Sequence, residues 1–261
     1  MIVDSHAHLE HELPAERLVE AMDGAGIDRA VLLAAAQQTI PSIPKTGTAF
    51  LRGCLHVPPL RIPVYRIARK NKRLKPFTRP DNDSVLEAAK AHPERFIPFA
   101  FLNPALGQEA HDEFDRTVAA GVRGVKLHCW LHDYRLTDAI PLLQRCQRAG
   151  LPILAHLGLG PAEDVEAVLD ACPRLKLVLA HGGIPHFERL WRLPRVRFDV
   201  ALRALVSEST VGKMLAAVGP DRVLFGSDAP AGIRADGGGH RYDVPPLPDR
   251  AMGHNLVSLL P

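Results

Sequence analysis

The 261-residue chain has only four cysteines, Cys54, Cys129, Cys146 and Cys172, and no Cys-x-x-Cys pair. That spacing excludes a zinc ribbon and a dense disulfide framework, and leaves four free thiols. No apolar run approaches the roughly 20 residues of a membrane span. Even Ala30 to Ala36 and Leu151 to Leu157 are short and flanked by polar residues. The start, Met1-Ile2-Val3-Asp4-Ser5-His6, shows no basic segment, apolar stretch or cleavage site, so a cytoplasmic protein is expected. The Gly-x-Gly-x-x-Gly turn of dinucleotide-binding sheets is missing too. Acidic residues are absent from one long stretch: Pro41 to Pro80 carries ten Lys and Arg and no Asp or Glu, against 22 basic and 29 acidic residues elsewhere.

What is present is ordinary globular composition, 46% hydrophobic and 23% charged, which excludes disordered, collagenous and coiled-coil chains. Apolar runs alternate with segments of helical period. Eight runs read as strands: Met1 to His8, Arg29 to Ala36, Arg95 to Asn103, Val122 to His128, Pro152 to Leu157, Leu175 to His181, Val196 to Leu202 and Arg222 to Asp228. Helices are expected at Ala15 to Ala25, Ser84 to His92, Gln108 to Ala120, Asp138 to Ala149, Ala162 to Ala171, Pro185 to Leu193, Val206 to Val218 and Arg250 to Leu260. Eight strand-then-helix units in a chain of this length predict α/β architecture, a single (β/α)8 TIM barrel spanning residues 1–261. An insertion at about 37–81 follows strand 2.

In such a barrel the active site lies at the carboxyl ends of the strands. Strand 1 ends Asp4-Ser5-His6-Ala7-His8, which puts His6 and His8 on one face about 7 Å apart. Strand 5 ends at His156, strand 6 at His181 and strand 8 at Asp228. Any one of these, taken alone, reads first as a strand-end polar residue that bonds backbone or caps the next helix. Together they bring imidazoles and a carboxylate into one cavity, where a cation supplies the compensating charge.

His6-x-His8, His156, His181 and Asp228 resemble the ligand pattern of the amidohydrolase superfamily of metal-dependent barrel enzymes. Pro93-Glu94-Arg95-Phe96, Gly124-Val125-Lys126-Leu127-His128, His181-Gly182-Gly183 and Gly226-Ser227-Asp228 are similar to the branch that contains aminocarboxymuconate semialdehyde decarboxylase and its hydrolase relatives. Gly253-His254-Asn255-Leu256 resembles that branch's Gly-Asn-Ala segment, departing at His254. The resemblance covers nearly the whole chain except Gln37 to Asp81.

Residue by residue, the resemblance implies His6, His8, His156 and Asp228 as ligands of one divalent metal, zinc first and manganese second. His181 stands beside the ion as acid or base, and Asp228 orients the water or takes its proton. The donor set agrees, since three neutral imidazoles and a carboxylate suit a borderline divalent ion and leave a position open. Lys126 and His128 share a face of strand 4 and are expected to touch an anionic group of the substrate. Elsewhere in the superfamily a carboxylated lysine on this strand bridges two metals, which would make Lys126 and His181 ligands. Asp4, with the parity of His6, is expected to point inward as an acceptor behind the ligands.

Two reactions fit: hydrolysis of an amide, lactone or ester of a small carboxylated substrate, and non-oxidative decarboxylation of a carboxylated aromatic or muconate-type acid. A barrel that keeps only a structural metal fits less well, because the ligand set has no gap. The proline-rich basic insertion reads as a lid, an oligomer contact or a mobile loop, and its basic run as a solvated surface or a collar steering carboxylates. Nucleic acid is a poor fit there, with only Tyr65 and Phe77 available for stacking.

Overall fold

The computed structural model describes residues 1–38, 53–54, 57–70, 75–202, 205–236 and 239–261. Of the basic insertion, Lys45, Arg52, Lys72 and Arg73 lie outside them. Eight strands pair in chain order, all parallel: β1 Val3–Leu9, β2 Arg29–Ala34, β3 Phe96–Leu102, β4 Gly124–His128, β5 Ile153–His156, β6 Leu177–Leu179, β7 Val196–Asp199 and β8 Val223–Leu224. Backbone bonds between β1 and the segment after β8 close the ring: Ser5 N–H to Phe225 O at 2.9 Å, Asp228 N–H to His6 O at 2.7 Å and His8 N–H to Ala229 O at 2.8 Å. The expected TIM barrel is therefore the observed fold. A short antiparallel hairpin, β9 Arg234–Asp236 and β10 Gly239–Arg241, follows.

The outer ring comprises α1 Ala15–Ala25, α3 Asn82–Ala91, α4 Gln108–Ala119, α5 Ile140–Arg148, α6 Glu163–Ala171, α7 Phe187–Trp191 and α8 Glu208–Val218, while α2 Pro58–Arg69 belongs to the insertion. Their starts and stops follow local chemistry. Asp81 accepts from Ser84 N–H to cap α3, Ser207 accepts from Thr210 N–H to cap α8, and Gly26 ends α1 at φ 67°. Among the described residues no helix is long and apolar enough to cross a membrane.

Strand alternation sorts side chains into two layers. Val125 and Leu127 of β4 pack outward into the large cluster under the helices, while Gly124, Lys126 and His128 face the barrel axis. Below the polar level the axis is filled by Val31, Leu33, Phe99, Leu154, Val178 and Leu224, all in one buried cluster. Gly124 is required there by space: a Cβ would lie 2.3 Å from Cζ of the Phe99 ring. Gly124→Ala is therefore expected to destabilise the fold by about 1–3 kcal/mol, the usual range for overpacking, read as a lower denaturant midpoint at unchanged slope.

Several boundaries differ from expectation. Strand 6 stops at Leu179 and strand 8 at Leu224, so His181 and Asp228 stand in the turns that follow, not within strands. Both have left-handed backbone, φ 53° and 59°, which no ladder accommodates. The last helix, expected continuous from Arg250 to Leu260, is a π turn, Arg250–His254, followed by one short helical turn, Asn255–Val257. Its Gly253 lies so near β1 that a Cβ would sit 2.7 Å from the Met1 carbonyl. The insertion also contains a twelve-residue helix, α2, with Pro at its first turn and Pro63 inside it.

Candidate metal centre

The polar layer of the barrel is almost entirely shielded from solvent. His6 and Lys126 are 1% and 0% exposed, His8, His128 and His156 6–8%, and His181 2%. Three of the imidazoles are oriented by what their Nδ1 touches. His6 Nδ1 lies 2.9 Å from Asp199 Oδ2, His8 Nδ1 2.7 Å from the Ala34 carbonyl, and His181 Nδ1 3.0 Å from the Ala201 carbonyl. A carbonyl only accepts, so Nδ1 of His8 and of His181 carries the proton and Nε2 keeps its lone pair.

Those Nε2 atoms converge on one carboxylate. His6 Nε2 and His8 Nε2 lie 3.3 and 3.6 Å from Asp228 Oδ1, and His181 Nε2 lies 4.0 Å from Asp228 Oδ2. Lone pairs facing a carboxylate form an acceptor cluster that needs a cation between its members. Lys126 supplies part of that charge, with Nζ 2.9 Å from His6 Nε2. Burial, with Lys126 second, holds His6 well below its ordinary value and His8 at about 3, so both rings are neutral, as a ligand must be. Burial likewise lifts the Asp228 carboxyl against the pull of Lys126, and lowers the Lys126 ammonium. His6, His8 and Asp228 offer ligand atoms all within 4.8 Å of one another, and so do His6, His181 and Asp199. The donor set thus fits a divalent ion.

The structure brings the expected residues together unevenly. His6, His8, His181 and Lys126 surround Asp228. His156 stands one ring away: its Nε2 is 2.6 Å from the Tyr65 hydroxyl, and its ring stacks on His128 with centroids 4.1 Å apart. Lys126 lies at the level of the imidazoles, and His128 stands closer to the mouth.

Behind the centre, Asp4 accepts from His6 N–H and Ser227 N–H, each at 2.9 Å, and from Ser227 Oγ at 2.5 Å. This ties β1 to the turn that carries Asp228. Burial pushes the Asp4 carboxyl up to about 7, against the hydrogen bonds of Ser227 and His6. Two participants are absent from the residues expected on sequence grounds. Asp199, fully buried, ends strand 7 as His156 ends strand 5, and its Oδ1 accepts from His181 N–H at 2.7 Å. The expected strand runs on from Val196 to Leu202, so its end at Asp199 is not visible in the sequence. Tyr65 comes from α2, and the Pro58-Pro59 pair at a helix start was the one clue to it.

Solved structures share this fold. An uncharacterised TIM-barrel protein from Bordetella bronchiseptica is 18% identical, with a TM-score of 0.67 over 99% of this chain and 97% of that one. A Pseudomonas putida protein assigned as a 2-pyrone-4,6-dicarboxylic acid hydrolase is 21% identical, with a TM-score of 0.56 over 88% of this chain and 82% of that one. A dihydroxybenzoic acid decarboxylase from a Polaromonas species, with bound manganese and the inhibitor 2-nitroresorcinol, is 16% identical, with a TM-score of 0.58 over 88% and 87%. A search of the curated proteins found no match. The family model described as amidohydrolase matches residues 61–236, starting inside the insertion and covering well over half of the sequence, and the chain accordingly belongs to the amidohydrolase family.

Proposed function

We propose that the chain is a metal-dependent hydrolase of a small carboxylated amide, lactone or ester. The convergence of oriented Nε2 lone pairs on Asp228 at the carboxyl end of the barrel carries this reading. His6, His8, His156 and Asp228 are the residues we assign to hold one divalent ion, zinc first and manganese second. When bound, such an ion polarises a substrate carbonyl and acidifies water. The remaining chemistry belongs to the side chains. Asp228, whose carboxyl burial raises, takes the proton of the attacking water. His181, fixed by Ala201 and Asp199, accepts that proton from Asp228 on its Nε2 lone pair and passes it to the departing oxygen or nitrogen. Asp199 keeps the His6 ring in the tautomer that exposes Nε2. Lys126 and His128 face the substrate's anionic group.

One observation favours decarboxylation as a second reading. Trp130, His156 and His128 stack nearly parallel, at 15° and 20° between successive rings, with Phe101 continuing behind His128 at 22°. A planar acid fits at the end of such a stack of rings. There the bond to the carboxyl carbon would break, carbon dioxide would leave, and His181 or Asp228 would protonate the ring carbon.

The test is a screen of metal-loaded protein against carboxylated lactones, esters and amides and against hydroxylated aromatic acids, reading acid release and carbon dioxide release separately. Acid from the first group is the expected result. Carbon dioxide from the second transfers the assignment to decarboxylation, and inactivity on both contradicts the two readings together.

A further inference from the structure

Helix α2 is anchored over the barrel mouth by specific contacts. Arg61, only 6% exposed, donates to both carboxylate oxygens of Glu188 at 2.7 and 3.0 Å, and its guanidinium lies 4.8 Å from the centroid of the Phe187 ring. Arg69 pairs with Asp133. The Trp130 indole N–H donates to the Tyr65 carbonyl at 3.2 Å, and the two rings lie 5.4 Å apart. These contacts place the Tyr65 side chain, 6% exposed, in the barrel with its hydroxyl on His156 Nε2 at 2.6 Å. In the tautomer that leaves the Nε2 lone pair open to a metal, the Tyr65 hydroxyl is the donor and the imidazole the acceptor. A tyrosine that only filled space would not need its oxygen on the atom of His156 that a metal uses.

We propose that the Tyr65 hydroxyl and the divalent ion compete for Nε2 of His156, so that loading the metal centre loosens helix α2 from the barrel mouth. The inference rests on the reading of His156 as a ligand. Part of the insertion thereby acquires a role, since Tyr65 holds α2 at the mouth and releases it when His156 turns to an ion. One lone pair accepts one donor, so the two states exclude each other.

The experiment is a zinc titration of the metal-stripped full chain against a chromophoric chelator, for the wild type and Tyr65→Phe. A neutral hydrogen bond is worth a net ~0.5–1.5 kcal/mol, so removing the competing hydroxyl should tighten zinc binding about 2- to 12-fold. In a His156→Asn background the Tyr65→Phe advantage should vanish. Without any substitution, zinc should speed hydrogen exchange across residues 58–69. Equal or weaker zinc binding by Tyr65→Phe, a gain that persists without His156, or unchanged exchange in α2 would each overturn the proposal while wild-type zinc binding stands. A wild type that binds no zinc would instead overturn the metal-centre reading beneath it.

Discussion

His181→Asn is expected to lower turnover by about 10²- to 10⁴-fold, the usual worth of a positioned acid or base, while the protein keeps its ion. The substitution is mild for the backbone. His181 has φ 53°, and asparagine is among the few side chains that enter the left-handed region readily. The bond from His181 N–H to Asp199 Oδ1 starts from the main chain and survives. What is lost is a ring that titrates, whose Nε2 lies 4.0 Å from Asp228 Oδ2. Measuring metal content beside kcat separates the roles. Loss of the ion with the imidazole would make His181 a ligand, as its Nε2 lone pair allows. Survival of both ion and activity would make it structural and leave the proton transfers to Asp228 and His128.

The second large effect is on the metal itself. Asp228→Asn and His6→Ala should each weaken ion binding by more than the ~10–100-fold that loss of an outer hydrogen-bond partner costs, with activity falling alongside. Asparagine at 228 keeps both the shape and the left-handed backbone, φ 59°, so the change is one of charge on an oxygen facing two Nε2 atoms at 3.3 and 3.6 Å. His6→Ala removes one of those nitrogens and leaves Asp199 Oδ2 and Lys126 Nζ without their partner. Inductively coupled plasma measurement on protein purified under identical conditions checks this. Full occupancy in both variants would contradict the ligand assignment.

The barrel was legible in the sequence because a parallel strand covered on both faces writes itself as a short apolar run, and several of the runs here end in a residue of chemical interest. His6, His8 and Asp228 were legible for that reason, and the structure gathers them. Their neighbours were harder to read. His181 and Asp228 were expected inside strands, yet both lie in left-handed turns beyond strand ends, and that geometry belongs to the packing of the barrel rim rather than to residue type. Asp199 was hidden because a carboxylate after Arg197-Phe198 reads equally as a surface charge until Oδ2 is seen on His6. Helix α2 was hidden by Pro63 and a run of basic residues. The helix exists because Arg61, Tyr65 and Arg69 find Glu188, His156 and Asp133, partners at least 64 positions away.

Anomalous diffraction from crystals grown with zinc or manganese would locate an ion at the carboxyl end of the barrel directly. A single peak about 2.0–2.2 Å from His6 Nε2, His8 Nε2, His156 Nε2 and an oxygen of Asp228 is the predicted result for a zinc-loaded protein. Two peaks bridged through a carboxylated Lys126 would replace the one-ion centre with a two-ion one, and a metal-saturated crystal with no peak among these residues would contradict a metal centre in this barrel.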